Sequence, residues 1–295
     1  MSRKVVIVGG VAGGATAAAR IRRLDEHAEI VVFERSGYIS YANCGLPYYV
    51  GGVITDPEEL TLQDPESFYS RFRVVMKVHH DVTAIHPERK CVSVTNLETG
   101  ETFEESYDSL ILSPGARPTV PDLPGIDSDR IFKLRTVEDT FALQERVQKT
   151  QPKRAAVIGG GFIGLEVAEN LRRAGVDVAV IQRPKQLLSP LDPEMAAFVH
   201  GELRANGVQL LLGRSVVGFE TDEEEIRVLL RDEPAFAADM VVLAIGVQPE
   251  SALAREAGLE LGLKGSILVN DRMETSVKDI YAVGDAVQVR HFVSG

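Results

Sequence analysis

The sequence predicts an α/β protein built from two parallel-sheet units, each opening with a strand, a glycine turn and a helix. Lys4–Val8 is a short β-branched run, Gly9–Gly14 follows it, and an alanine-rich helix continues through about Leu24. The same order returns at Arg154–Ile158 and Gly159–Gly164. Because strand, turn, helix and second strand make the βαβ unit of a parallel sheet, the repeat predicts two such units in one chain.

Composition and charge restrict the function classes. The 295 residues are 44% hydrophobic and 25% charged, which is typical of a globular protein of two ordinary domains. A net charge of -11 disfavours nucleic acid as the main partner. Glycines interrupt the apolar stretch from Val5 to Ala19, so we expect neither a signal peptide nor a membrane span. Two cysteines cannot make a disulfide framework, so we expect a reducing cytoplasm, and no metal site is predicted.

The first glycine turn, Gly9-Gly10-Val11-Ala12-Gly13-Gly14, lies between a strand and a helix. There the backbone amides and the helix dipole can hold a pyrophosphate. Glu34 closes the next predicted strand, 20 residues after Gly14, where a carboxylate can bond a ribose diol. Val11 stands where this fingerprint prefers its middle glycine, so the match is imperfect.

The second turn, Gly159-Gly160-Gly161-Phe162-Ile163-Gly164, carries all three fingerprint glycines. The expected acid is replaced by Gln182, and Arg183 follows it. A carboxylate there repels a ribose 2′-phosphate, whereas glutamine and arginine tolerate or attract one. The sequence therefore does not decide between NADH and NADPH as the cofactor. Gln182 and Arg183 favour the use of NADPH more strongly than the glycine turn alone would. The alternative is that Arg183 is only a solvated loop charge.

The remaining elements complete two domains. Val74–His86 and Lys90–Leu97 predict alternating strands, and Leu110–Leu112 runs into Ser113-Pro114-Gly115. The proline-rich segment 117–124 predicts a crossover between domains. Val241–Ile245 leads into Gly246, and Ile280–Val283 leads into Gly284-Asp285-Ala286. We predict one domain from residues 1–116 and 245–295, with a second domain, residues 117–244, inserted into it.

Cys44 is the candidate reactive thiol. It lies in Tyr41-Ala42-Asn43-Cys44-Gly45-Leu46-Pro47-Tyr48-Tyr49, where Pro47 predicts a first helical turn. A helix N-terminus lowers the pKa of a thiol and favours the reactive thiolate. Tyr49 occupies the second position of a C-x4-C pair, so Cys44 must cycle through a mixed disulfide, a persulfide or a sulfenic acid. Cys91 alternates with Ser93 and Thr95 in a predicted strand and is interpreted as structural.

Together these motifs resemble the pyridine nucleotide-disulfide oxidoreductase family, and most closely its single-cysteine branch of coenzyme A-disulfide and persulfide reductases. The resemblance rests on both glycine turns, the cysteine segment Ser40–Tyr48, Tyr107-Asp108 leading to Ser113-Pro114-Gly115-Ala116, and Gly284-Asp285-Ala286. It implies two Rossmann-like, three-layer domains, FAD in the first and NAD(P)H in the second. The residues then expected at the cofactors are Gly9, Gly10, Ala12, Gly13, Gly14, Glu34, Arg35, Asn43, Ser113, Pro114, Gly115, Gly159, Gly161, Phe162, Ile163, Gly164, Gln182, Arg183, Gly246, Gly284 and Asp285, the last at the ribityl chain.

The resemblance also implies a substrate site. Residues matching Arg20, Arg23, Ser40 and Asn43 help hold coenzyme A against the cysteine in that branch. Arg20 and Arg23 share a helix face, as a phosphate clamp requires. The alternative is compensation of the helix C-terminal dipole. Related NADH oxidases and peroxidases carry a histidine where Ala12 stands, which favours disulfide reduction.

One departure from the family concerns the C-terminus. Family members continue beyond the Gly-Asp-Ala motif into a dimerisation domain that supplies tyrosines from the partner subunit. We therefore expect this chain to be a fragment or a truncated version, and a homodimer only with that domain. The expected function is NAD(P)H-dependent reduction of coenzyme A disulfide, persulfide or a similar small disulfide through Cys44. The alternatives are an oxidase or peroxidase cycling through sulfenic acid, and an inactive dinucleotide-binding fragment.

Overall fold

The computed structural model describes residues 2–291 and 293. Its α-helices are α1 (Ala12–Leu24), α2 (Leu46–Val50), α3 (Pro65–Phe72), α4 (Val137–Thr150), α5 (Phe162–Arg173), α6 (Pro193–Ala205) and α7 (Ala252–Glu256). Its strands are β1 (Lys4–Val8), β2 (Glu29–Phe33), β3 (Val75–Lys77), β4 (His80–His86), β5 (Cys91–Asn96), β6 (Thr102–Ser106), β7 (Ser109–Leu112), β8 (Ala116–Pro118), β9 (Ile131–Lys133), β10 (Arg154–Ile158), β11 (Asp177–Gln182), β12 (Gln209–Leu212), β13 (Val216–Thr221), β14 (Ile226–Leu230), β15 (Phe236–Ala238), β16 (Met240–Leu243), β17 (Val247–Pro249), β18 (Ile267–Leu268), β19 (Ile280–Ala282) and β20 (Val287–Gln288).

The first compact unit takes in the chain up to Tyr41, Thr61–Arg117, and the chain from Gln248 onward. Its centre is a parallel sheet in the order β19-β7-β1-β2-β3. A three-stranded antiparallel sheet, β4-β5-β6, belongs to the same unit. The parallel strands end at one edge, which is where ligands bind in open α/β sheets.

The alternation of side chains along β1 divides this unit into three layers. Val5 and Ile7 are buried on the face that also receives Ala15 and Ala18 of α1. Val6 and Val8 lie on the opposite face, with the buried valines of β4 and β5. Because successive strand residues point to opposite faces, a continuous apolar run is buried on both sides, as in parallel sheets. The predicted three-layer arrangement is confirmed.

The second unit takes in Ala42–Leu60 and Pro118–Val247 and repeats the same plan. Its parallel sheet has the order β12-β11-β10-β16-β9, with α5 packed on β10 and β11. The antiparallel sheet β13-β14-β15 shares a core with β10 and β16. Two Rossmann-like units, one interrupting the other along the chain, are therefore present as the sequence predicts.

One segment falls in a different unit from the one predicted. Residues 42–60, which contain Cys44, cluster with the second unit rather than the first. Helix α2 packs against α4 and α5, and the rings of Tyr49 and Phe141 lie 5.5 Å apart. Gly51 lies so close to Asn170 that a Cβ at this position would overlap the Asn170 side chain. These contacts join residues far apart in sequence, so local patterning could not reveal them.

The segment predicted as one strand, Val74–His86, is two strands in different sheets. Strand β3 extends the parallel sheet beside β2, whereas β4 pairs antiparallel with β5. His79 lies between them at φ 53°, a left-handed conformation that breaks the extended run. Strands β5 and β6 are joined by a turn in which Gly100 donates its backbone N–H to the carbonyl oxygen of Asn96 at 2.8 Å. Within the described residues, no helix is long and apolar enough to cross a membrane.

Candidate functional site

The first glycine turn connects β1 to α1 and needs glycine for steric reasons. Gly9 has φ 96°, and a Cβ on it would overlap the carbonyl oxygen of Ser113. A Cβ on Gly14 would overlap the carbonyl oxygen of Gly9, so the helix packs directly on the turn. The helix has no acidic residue in its first turn, and the side chain of its N-cap residue, Val11, makes no capping hydrogen bond. The first amides of α1 therefore face an anion-binding edge of the sheet.

Glu34 fixes the shape of this turn. Its side chain is buried, and Oε2 accepts the backbone N–H of Gly10 at 2.8 Å while Oε1 accepts that of Ser36 at 2.9 Å. A charged acceptor makes such bonds stronger than neutral ones. The carboxylate that the sequence places beside a ribose thus also joins the turn to the end of β2.

Two other predicted segments meet the turn at the same sheet edge. A Cβ on Gly13 would lie 2.5 Å from Ser113 Oγ, and one on Gly284 would lie 3.5 Å from the same atom. Ser113 follows β7, and Gly284–Ala286 form a 3₁₀ turn after β19. Gly115 has φ 72°, and Asp285 is exposed. The structure therefore gathers Gly9, Gly10, Gly13, Gly14, Ser113, Glu34 and Gly284 at one place.

The remaining predicted residues of the first unit lie on its surface. Arg35 Nε forms an ion pair with Asp81 Oδ1 at 3.3 Å. Ala12, Arg20 and Arg23 are exposed on α1, and Arg23 Nε donates to the carbonyl oxygen of Ala19 at 3.3 Å. Arg23 lies in the last turn of α1, where a positive charge compensates the helix dipole, whereas Arg20 does not. Ser40 has φ 46°, and its backbone N–H donates to the carbonyl oxygen of Gly10 at 3.0 Å.

The second glycine turn reproduces the first at its first, second and sixth positions. Gly159 has φ 116°, and a Cβ on it would overlap the carbonyl oxygen of Ala244. Gly160 donates its backbone N–H to Gln182 Oε1 at 3.0 Å, as Gly10 does to Glu34. Gln182 therefore keeps the structural role of the acid while removing its charge. A Cβ on Gly161 would meet nothing within 4 Å, and Phe162 and Ile163 of the turn are exposed.

A cleft of about 690 Å³ opens at this turn within the second unit. The predicted residues that line it are Gly159, Gly161, Phe162, Ile163, Gln182, Arg183 and Gly246. This volume suits an extended small ligand. Arg214 also lines the cleft, although the sequence analysis did not identify it. It follows the carboxyl end of β12, the next strand of the sheet, and the rule that ligands bind at strand carboxyl ends was the signal that could have found it.

Cys44 is exposed in the second unit and lies in a 3₁₀ turn, Asn43–Gly45, directly before α2. The helix begins at Leu46 with Pro47 in its first turn, as predicted, but it has only five residues. Cys44 thus precedes a very short helix rather than capping a long one. Asn43 shares this turn, whereas Arg20, Arg23 and Ser40 belong to the first unit.

Cys91 lies in β5 and is 6% exposed. Desolvation raises the pKa of its thiol, so the unreactive protonated form is favoured. The sulfur lies 3.7 Å from Glu104 Oε2. Cys91 is therefore buried, whereas Cys44 is exposed.

With both glycine turns and the thiol in place, the chain matches the family model described as pyridine nucleotide-disulphide oxidoreductase over residues 3–294. The chain belongs to this family. The predicted family and its cofactors, FAD and NAD(P)H, are confirmed. Membership also accounts for two Rossmann-like units in one chain.

Similar proteins within the family carry sulfur-related names. A coenzyme A disulfide reductase of Staphylococcus aureus is 39% identical over 96% of this chain and 63% of its own length. The structure of reduced Bacillus anthracis CoADR-RHD has a TM-score of 0.97 and 47% identity, covering 100% of this chain and 53% of that one. A NAD-dependent persulfide reductase from A. fulgidus has a TM-score of 0.92 and 36% identity, covering 96% of this chain and 53% of that one. The chain thus spans less than two thirds of these proteins.

Oxidases are also similar in structure. A water-forming NADH oxidase from Lactobacillus brevis, solved with NADH, has a TM-score of 0.91 and 33% identity over 97% of this chain and 63% of that one. An engineered form solved with NADPH is an NADPH oxidase with a TM-score of 0.90 and 33% identity, covering 96% of this chain and 62% of that one. Its five substitutions remove one aspartate and introduce two arginines.

Proposed function

We propose that this chain carries the FAD- and NAD(P)H-binding units of a flavoenzyme that reduces small disulfides or persulfides, foremost coenzyme A disulfide, with NAD(P)H. The observation that carries the proposal is the exposed Cys44 in a chain with two strand, glycine-turn and helix units. The names of the relatives support the sulfur substrate, and the absence of a cysteine at Tyr49 supports a mechanism with one thiol. The free state of Cys44 and Cys91 fits the cytoplasm, which we propose as the compartment.

The first glycine turn fits FAD. The positive φ of Gly9 makes the tight turn that leads into α1, and the uncapped first turn of α1 supplies amides to a pyrophosphate. Glu34 stands at the strand end where the adenosine ribose would lie, and Asp285 stands at the edge assigned to the ribityl chain. FAD, when bound, supplies electron transfer between NAD(P)H and sulfur.

The second glycine turn and its cleft fit NAD(P)H. Gly161 leaves open space at the first amides of α5, and no acidic residue lies in the first turn of that helix. The exposed Phe162 and Ile163 contribute apolar surface beside these amides. Gln182 accepts a backbone N–H without adding a negative charge, so NADPH as well as NADH can be used.

Cys44 performs the sulfur chemistry. Its thiolate attacks one sulfur of the substrate disulfide, the S–S bond breaks, and one thiolate leaves and takes up a proton. The Cys44 mixed disulfide is then reduced by two electrons from NAD(P)H, which releases the second thiol and restores the Cys44 thiolate. Overall, NAD(P)H, one proton and one disulfide give NAD(P)⁺ and two thiols. Asn43 is proposed to position the substrate beside the cysteine, and Ser40, Arg20 and Arg23 are the further coenzyme A-binding residues that the family resemblance implies.

The test is consumption of NAD(P)H by the full-length protein with coenzyme A disulfide, peroxide or oxygen as the only acceptor. Disulfide-dependent consumption with two thiols formed per nicotinamide supports the proposal. Consumption with peroxide or oxygen alone favours the oxidase and peroxidase class, to which the Lactobacillus relative belongs. Binding of nucleotide without flavin reduction identifies an inactive module instead.

A further inference from the structure

Arg214 carries an inference that rests on the proposed function and deepens it. It lies in the loop after β12 and lines the same cleft as Gln182 and Arg183. Two backbone hydrogen bonds join the loops: Arg214 N–H donates to the carbonyl oxygen of Gln182 at 3.0 Å, and Gly213 N–H donates to that of Pro184 at 2.9 Å. The backbones of the two arginines are therefore held side by side at one end of the cleft.

Because the two units have the same fold, the first unit indicates which part of a nucleotide would lie beside Arg183 and Arg214. In the first unit, the residue that accepts the N–H of Gly10 is Glu34, at the strand end where a dinucleotide ribose lies. In the second unit, Gln182 accepts the N–H of Gly160 at the equivalent place. A nucleotide bound at Gly159–Gly164 would place its ribose beside Gln182, next to the joined loops.

The charges at this end of the cleft favour a phosphate. Arg183 and Arg214 line the cleft, and the stem of Lys185 lies beside Gly213. One carboxylate opposes them, because Glu233 Oε1 lies 2.5 Å from Arg214 Nη1. A guanidinium has five N–H donors in a planar fork, so an ion pair through Nη1 orients the group and leaves further donors for a second anion.

We propose that Arg214 binds the ribose 2′-phosphate of NADPH, with Glu233 holding its guanidinium in place and Arg183 as the neighbouring cation. Arg214 thereby determines the choice between NADH and NADPH. It does so from the loop after β12, the strand next to β11, which ends at Gln182. The engineered NADPH oxidase, which lost an aspartate and gained arginines, shows that such charge changes accompany NADPH use in a relative.

The experiment is a calorimetric titration of the full chain, carrying FAD, with 2′,5′-ADP and separately with 5′-AMP. These probes differ only in the 2′-phosphate, and FAD in its own site prevents adenylate from binding there. We expect the native protein to bind 2′,5′-ADP more tightly. Arg214→Ala should weaken binding of 2′,5′-ADP by about tenfold, the loss of one charge-assisted contact, and change binding of 5′-AMP by less than about twofold. Arg214→Lys should fall between, since lysine lacks the planar fork.

Arg227→Ala is the matched control. Arg227 belongs to the same unit, pairs with Glu220 and Asp222, and its side chain is 45% exposed, against 43% for Arg214, but it does not line the cleft. It should leave both titrations unchanged, and unaltered melting temperatures show that the variants fold. Equal binding of the two probes by the native protein, or equal losses for both probes in Arg214→Ala, overturns the proposal. NADH-driven reduction of coenzyme A disulfide tests the proposed function separately, because NADH has no 2′-phosphate.

Discussion

Glu34 and Gln182 show how one side chain can combine a structural and a recognition role. Each accepts the backbone N–H of the second glycine in its turn, at 2.8 Å and 3.0 Å. A carboxylate and a carboxamide both provide the oxygen that this bond needs, so the fold does not distinguish them. Their charges differ: a carboxylate binds a ribose hydroxyl but repels a ribose phosphate, whereas a carboxamide does not repel the phosphate. The structural role is therefore conserved within the chain while the specificity is free to differ.

The thiols provide the first prediction at this scale. Cys44→Ser should abolish disulfide reduction, because serine cannot form a mixed disulfide, while reduction of the flavin by NAD(P)H continues. Stopped-flow absorbance measures the flavin step, and thiol release measures turnover. Cys91→Ser is the control and should retain both activities, since Cys91 is buried in β5. Normal turnover in Cys44→Ser would show that the mechanism is wrong.

Glu34 provides the second prediction. Glu34→Ala leaves the amides of Gly10 and Ser36 without their acceptor and should lower the free energy of unfolding by about 2 kcal/mol. Glu34→Gln keeps one acceptor, as Gln182 does, and should lose less than about 1 kcal/mol. Urea unfolding measures both. Glu29→Gln, on the exposed end of β2, is the control, and an equal loss there would contradict a specific role for Glu34.

The turn between strand and helix is the element on which both nucleotide sites depend. In each unit the backbone reverses at a glycine with positive φ and passes against the carbonyl oxygen of the residue that directly follows another strand. The local sequence sets the conformation, but the close approach involves Ser113 in one unit and Ala244 in the other, both distant in sequence. A glycine in such a turn is therefore required by tertiary contacts as well as by its own φ.

Two glycines of the second turn give a matched test of this element. Gly159→Ala places a Cβ at φ 116° against the carbonyl oxygen of Ala244 and should cost about 2 kcal/mol or more of stability. Gly161→Ala meets no atom within 4 Å and should cost less than about 0.5 kcal/mol. Thermal unfolding of the two variants measures the difference. Equal melting temperatures would show that the contact between Gly159 and the carbonyl oxygen of Ala244 does not restrict the residue at position 159.

The loop between β11 and α6 gives a prediction about pH. His200 Nε2 accepts the backbone N–H of Leu187 at 3.1 Å, which requires the neutral ring. Burial, aided by Arg204, holds the pKa of His200 below its usual 6.5. The unfolded chain then binds a proton more readily, so this stability is complete above about pH 6.5 and is lost as pH falls through the folded-state pKa.

His200→Gln removes this titration while keeping a side-chain acceptor. The stability of the native protein should therefore fall more steeply than that of the variant between about pH 7.5 and 5.5. Urea unfolding across this range measures both slopes. His27→Gln, at an 83% exposed side chain, is the control and should keep the native slope. Parallel slopes for the native protein and His200→Gln would contradict the assignment.

At the scale of the whole molecule, two units of the same plan occupy one chain, and each offers its own nucleotide edge. The two edges differ in their charges and in their partners: Glu34, Ser113 and Gly284 lie at one, Gln182 and Arg214 at the other. Each unit therefore offers a nucleotide site of its own, as expected in a family that uses both FAD and NAD(P)H.

This arrangement predicts that FAD stabilises the protein by itself. In flavin-stripped protein, FAD at about 100 times its dissociation constant should raise the free energy of unfolding by about 2.7 kcal/mol. FMN should stabilise it much less, because FMN lacks the pyrophosphate and adenosine that the Gly9 turn and Glu34 are arranged to hold. Melting curves with each flavin measure this. A Gly9→Ala variant that still responds fully to FAD would place the flavin elsewhere.

The sequence by itself determined both βαβ units, because apolar runs, glycine turns and strand ends are local features with a fixed period. Strand β1 and strand β10 have the predicted bounds, and Gln182 ends β11 as expected. It also singled out Cys44, through its neighbours Asn43 and Pro47. The strands, the glycine turns and the Cys44 segment could be predicted because each depends on residues that are close together in the sequence.

The tertiary structure alone decided the features that join distant residues. It assigned the Cys44 segment to the second unit through the contacts of α2 with α4 and α5, and it divided Val74–His86 between two sheets. It also brought Arg214 to Gln182, 32 residues earlier in the chain, through a backbone hydrogen bond between loops. Such contacts depend on how parallel strands order themselves in a sheet, and the order is set by packing across the whole unit rather than by any local pattern.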